Sequence, residues 1–172
     1  MGIEIPKTSW KSGGGPDYPR VKREVAALLR KHAIDAPPVP IREIVEAEGV
    51  DVRFVRFATL NREVAGFTRF DEAAIYVNAD DALNRQTWTI AHEFGHWTLH
   101  RDRFEDDPER YNILLRRPVG LNSDPLEKEA NAFARMLLIP EQLLRRVKGR
   151  ASTAELARMF LVSPEAMEQA LT

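Results

Sequence analysis

Residues 89–100 read TIAHEFGHWTLH. His92 and His96 stand four apart, which on a helix stacks them on one face a turn apart. Two imidazoles so placed can both reach one zinc ion at about 2.0–2.1 Å. Glu93 lies about 100° further round the helix. It flanks the ion position, where a carboxylate suits proton exchange with water. The pattern is H-E-x-x-H, the helix signature of zinc metalloproteases. A helix is therefore expected from about Leu83 to Arg101. Ala91, Phe94 and Gly95 turn this stretch toward a core. Glycine inside a helix costs about 1 kcal/mol relative to alanine, so Gly95 predicts that something packs closely against it.

His100 continues the row, but it lies about 12 Å along the axis from His92. An ion with bonds near 2 Å cannot span both ends. The metzincin pattern places a third ligand about ten residues after the first histidine and a glycine about seven after it. Those positions hold Asp102 and Leu99. His100 is read instead as a buried or capping residue whose removal leaves metal binding intact. The chain has no cysteine, so any third ligand offers nitrogen or oxygen. The best source is EKEANAFARMLLIP, residues 127–140. Glu127 and Asn131 share a helix face, while Glu129 points elsewhere. If Glu127 binds the ion, Asn131 can accept a hydrogen bond from a ligating histidine and fix its tautomer. Spacing alone allows Glu127 equally to be a first-turn glutamate stabilised by the helix dipole.

Upstream, SGGGP at residues 12–16 is a flexible break, so residues 1–16 read as a tail. Val21, Val25, Leu28 and Leu29 follow at helical spacing, up to the stop at APPVP. IREIVEAEG is a short second helix, with Gly49 as a left-handed cap. Val50 to Phe57 alternates like a strand. VAGFTRF and AAIYVN, joined at Asp71 and Glu72, read as a hairpin without a strong turn signal. Downstream, Asp102 to Asn122 is polar and proline-interrupted, the longest candidate loop. Ser123 or Asp124 can cap the next helix, with Pro125 in its first turn. Pro140 ends that helix and starts a shorter one through Lys148. Residues 152–171 read as a helical hairpin, with Ser152 and Glu155 as a capping box and Ser163-Pro164 opening its second helix. Leu156, Phe160, Met167 and Leu171 are its expected buried face. Glu165 and Glu168 stand where a DNA-reading helix would need positive charge.

Together these stretches resemble the ImmA/IrrE family of zinc metallo-endopeptidases. The likeness rests on RQTWTIAHEFGHWTLH and EKEANAFARMLLIP and on their separation, with IYVN before and ELARMFLVSPEAM after. It runs from about Pro37 to the C-terminus. It implies an α+β, mini-gluzincin (zincin-like) domain: a three-stranded sheet packed on a zinc-binding helix pair, with extra helices at both ends. It also implies His92, His96 and Glu127 as zinc ligands, and Glu93 as catalytic base. The family's E-x-x-A-N pattern selects Glu127 over Glu129. Members cleave helix-turn-helix repressors and so release phage, mobile-element or stress genes. Residues 17–172 are then one metallopeptidase domain following the tail.

Net charge is −1 over 172 residues, against the basic excess of a nucleic-acid binder. The cluster Leu143–Arg150 reads as a solvated helix end with cations at its C-terminus. No segment suits a signal peptide or a membrane span, and Pro6 spoils a myristoylation signal. A cytoplasmic protein is expected, with no direct nucleic-acid or membrane partner. The expected cofactor is Zn²⁺, with Mn²⁺ as an alternative. The expected partner is a helix-turn-helix repressor, its extended chain added along the strand Ala73–Asn78. Tyr76 and Tyr111 are the tyrosines nearest the reacting groups, each read as structural. The rival function is a non-catalytic, metal-containing partner of a repressor, as in a toxin–antitoxin pair. Glu93 favours the enzyme, since a structural metal has no use for it.

Overall fold

The computed structural model describes residues 15–57, 64–107 and 124–172. Among these residues the fold is α+β, with seven helices and one three-stranded sheet. Helix α1 (Tyr18–Lys31) is capped by Asp17, whose carboxylate accepts from Arg20 N–H at 2.9 Å, and it carries a proline in its first turn. Its stripe of Val21, Val25, Leu28 and Leu29 is buried, as the spacing predicts. Helix α2 (Ile41–Ala47) ends before Gly49, which takes the left-handed φ of +84°. Such a backbone costs glycine nothing, because no Cβ meets the preceding carbonyl.

The sheet holds β1 (Asp51–Val55), β2 (Gly66–Arg69) and β3 (Ala74–Asn78) in the order β1-β3-β2. β2 and β3 form the expected hairpin, antiparallel with Phe67 opposite Tyr76. Ala73 supplies the turn's left-handed residue at φ +48°, so the hairpin closes without glycine or asparagine. β1 pairs in parallel with β3, Val52 opposite Ile75. β1 is shorter than the alternation suggests, and Phe54 stays 41% exposed beneath the Arg42 guanidinium. β3 is the central strand, with both edges hydrogen-bonded. The expectation of a free edge at Ala73–Asn78 is thus incorrect. Among the described residues the open edges belong to β1 and β2.

Helix α3 (Leu83–Asp106) carries the histidines and runs five residues past its expected end. No proline interrupts the chain before Pro108, and Arg101 pairs with Glu105 one turn on. Most of the expected loop, from 108 on, and Ser123 lie outside the described residues. Helix α4 (Pro125–Leu138) begins at Asp124, whose side chain accepts from Leu126 N–H at 2.9 Å. Its contact with α3 is the most extensive in the fold. Phe94 and Phe133 meet edge to face there with centroids 5.9 Å apart, both fully buried. Burying such a side chain stabilises by about 1.5–3 kcal/mol.

Helices α5 (Glu141–Val147), α6 (Thr153–Phe160) and α7 (Pro164–Leu171) complete the order. Ser152 and Glu155 form the expected capping box. Leu161 turns the chain at φ +58°, and Leu156, Phe160 and Met167 are buried in the core, with Leu171 packed at its border. The basic cluster is tied back to the fold: Arg145 to Glu141, Arg146 to the Asp35 carbonyl and Lys148 to the Leu171 carbonyl. No helix among the described residues is long and apolar enough to cross a membrane.

Candidate metal centre

Helix α3 presents His92 and His96 on one face, and the first turn of α4 brings Glu127 opposite them. Glu127 Oε2 lies 3.3 Å from His92 Nε2, and Oε1 lies 3.1 Å from His96 Nε2. The two Nε2 atoms are 3.2 Å apart. Ligands of a tetrahedral ion with bonds of 2.0–2.1 Å lie about 3.3 Å from one another. Each separation is close to that value, the carboxylate meeting the two imidazoles through different oxygens, and one ligand atom from each residue lies within 4.8 Å of the others. Side-chain exposure is 5% for His96 but 41% for Glu127, so the centre opens to solvent on the glutamate side.

The hydrogen bonding sharpens this fit. Asn131 Oδ1 lies 3.0 Å from His92 Nδ1, where an amide oxygen accepts and keeps Nε2 turned to the site. Sequence spacing had placed Asn131 in this supporting position. Burial pushes His92 toward the neutral form, but Glu127, Glu93 and Asn131 more than reverse this, so its net shift is upward. Burial likewise raises the Glu127 carboxyl, yet His92 and His96 hold it far below the usual carboxylate range. Two imidazole Nε2 atoms and a carboxylate converge, an arrangement that favours positive charge, a proton or a metal ion, between them.

His100 is buried, as expected, and it touches one of the converging histidines. It is 2% exposed, and its Nδ1 lies 3.0 Å from His96 Nδ1. Its Nε2 lies 2.8 Å from Glu129 Oε2, and Glu129 Oε1 accepts from Asp17 N–H at 2.7 Å. Burial pushes His100 down to about 4, against the pull of Glu129. Sequence reasoning missed Glu129 as a supporting group. Nothing in EKEANAFA sets it apart from Glu127 as an acid; its burial on α4 shows only once the helices pack.

Glu93 is 8% exposed and sits beside the converging groups on α3. Thr68 of β2 donates its hydroxyl to Glu93 Oε2 at 2.7 Å. Thr68 was also missed, since nothing in GFTR marks it apart from its inward place on the strand. Tyr76 lies on the sheet's other face, where its hydroxyl donates to Glu72 at 2.5 Å and accepts from Arg53 at 2.8 Å. It is structural, as expected. Tyr111 lies outside the described residues.

A histidine-bearing helix and an acidic second helix against a small sheet define a zincin-like fold of the metallopeptidase type. Residues 45–172 match the model of Peptidase_M78, the IrrE N-terminal-like domain, and the chain belongs to that family. It is 27% identical over 143 residues to a protein of Bacillus phage phi105 named uncharacterized immunity region protein 2, covering 82% of this chain and 81% of that one. Its fold is similar to that of a Mycobacterium tuberculosis transcriptional regulator, with a TM-score of 0.61 at 15% identity over 88% of this chain. This chain spans only 55% of that one.

Proposed function

We propose that the protein is a zinc-dependent endopeptidase that cleaves a helix-turn-helix repressor and so releases phage, mobile-element or stress-response genes. The observation that carries this reading is the convergence of His92, His96 and Glu127 with a buried carboxylate, Glu93, beside them. The phage relative's name, with its immunity region, supports a regulatory setting.

His92 and His96 would hold the ion through Nε2, and Glu127 through its carboxylate. A bound zinc ion supplies Lewis-acid activation of water and of the scissile carbonyl. Glu93 takes a proton from the attacking water and returns it to the leaving amine. Thr68 holds one carboxylate oxygen of Glu93 and so fixes the rotamer of this base. An extended substrate segment would add along the open edge of β2. Asn78 N–H donates to Ala65 O at 2.8 Å; antiparallel alternation then turns the Gly66 and Thr68 backbone groups outward. N-methylating substrate amides near the scissile bond should slow cleavage.

The test uses the full chain with zinc and repressors encoded beside its gene. Wild type should cut one of them at a single site, read by mass spectrometry. Glu93→Gln should retain zinc and lose cleavage. Equal effects of both proteins on the repressor would favour the non-catalytic partner instead.

A further inference from the structure

The row Glu129–His100–His96 has a fixed polarity, and it can be read from one end. Glu129 is 7% exposed, and both of its oxygens face donors: Asp17 N–H on Oε1 at 2.7 Å and His100 on Oε2 at 2.8 Å. A carboxylate only accepts, so the His100 proton must sit on Nε2. A neutral imidazole carries one N–H, which leaves His100 Nδ1 as an acceptor. His96 Nδ1, 3.0 Å away, must then donate. With its Nδ1 committed to His100, His96 offers Nε2 to the site, where that atom faces Glu127 and His92.

We propose that Glu129 and His100 are positioning residues that set the His96 tautomer, and that Asp17 N–H at the start of α1 locks the direction of the row. This rests on His96 being a metal ligand. The lock begins outside residues 45–172, the span of the family match, so the N-terminal helix becomes part of the metal centre's support.

The near-isosteric Glu129→Gln variant tests it. A backbone N–H can only donate, so the amide oxygen must turn to Asp17. The amide NH₂ then faces His100 Nε2, which becomes an acceptor. His100 carries its proton on Nδ1, and His96 is forced to carry its own on Nε2, inside the site. Imidazole ¹⁵N correlations on the metal-free protein read each tautomer directly. The expected result is a proton on His96 Nδ1 in wild type and none there in Glu129→Gln. Zinc affinity, by competition with a chelator, should fall about 10- to 100-fold in the variant. A metal-free wild type whose His96 Nδ1 carries no proton overturns the proposal, and so does a variant with unchanged Nδ1 protonation and affinity. The wild-type spectrum decides even if the variant fails to fold. If wild type takes up no zinc, the metallopeptidase reading fails, while the tautomer measurement still judges the row.

Discussion

Gly95 sets the spacing between the two helices that carry the converging groups. A Cβ built there would lie 3.1 Å from Phe133 Cδ1 and 3.2 Å from both Ala130 Cα and Phe133 Cβ. Ordinary contacts begin near 3.4 Å, so the neighbours must yield by about two to three tenths of an ångström. Ala130 Cα is backbone, and Phe133 is fully buried against Phe94. Neither can swing aside, so α4 itself must shift. In Gly95→Ala, helix propensity gains about 1 kcal/mol, while overpacking costs about 1–3 kcal/mol. The net loss lies between about zero and 2 kcal/mol. The metal site is the stricter gauge, because ligand distances tolerate only about ±0.2 Å and Glu127 lies one turn before Ala130. Gly95→Ala should lower the thermal midpoint by a few degrees and weaken zinc binding by about tenfold, or about 1.4 kcal/mol. Thermal unfolding of the metal-free protein and chelator competition measure the two effects. A higher midpoint with wild-type zinc affinity would refute the helix-spacing argument.

Gly66→Ala should be far more damaging. Its Cβ would stand 2.5 Å from the Tyr76 carbonyl oxygen and 2.5 Å from Thr89 Cγ2, and a loss above about 3 kcal/mol in urea unfolding is expected; a near-neutral variant would show that β2 can move off α3. Thr68→Val keeps the shape but removes a hydrogen bond to a carboxylate, so peptide cleavage should slow by about tenfold or more with zinc affinity unchanged. Glu127→Gln should lose zinc in the chelator assay while keeping the fold by circular dichroism; retained zinc would make Glu127 only a first-turn glutamate. Burial raises the Glu48 carboxyl, but Lys31 and His32 pull it further down, to a net value below 4.5. A carboxyl lowered on folding contributes above its unfolded pKa and loses that contribution as pH falls through the folded value. The stability gap between wild type and Glu48→Gln, below about 1 kcal/mol at neutral pH, should therefore close under acid; a gap unchanged at about pH 3 would assign it to packing.

Much of this architecture was legible because local signals agreed. Val21, Val25, Leu28 and Leu29 named the buried stripe of α1, and Ser152 with Glu155 named the start of α6. Gly95 announced close packing, and Phe133 and Ala130 provide it. The spacing of His92, His96, Glu127 and Asn131 anticipated which side chains come together. Pairing order was not legible from alternation alone. The run AAIYVN does carry a trace of it, since β3 is buried on both sides apart from Tyr76, as a central strand must be. His100 is buried, as its place on the helix predicts, but its contact with the His96 ring is not visible from distance along the axis. Nothing local to Glu129 reveals that Asp17, 112 residues away, holds it. Such long-range polar contacts exist only once the helices have packed.

The open edge of β2 has a consequence for what the enzyme could digest under the proposed function. A sheet edge accepts only chain that is already extended, with its amides unpaired. A helix-turn-helix protein keeps most of its amides inside helices. Its cut site must then lie in a linker, or in a segment that frays from the fold. In the second case turnover follows the substrate's own opening equilibrium. Mutations that loosen the repressor far from the scissile bond would hasten its destruction, and a ligand that tightens it would protect it.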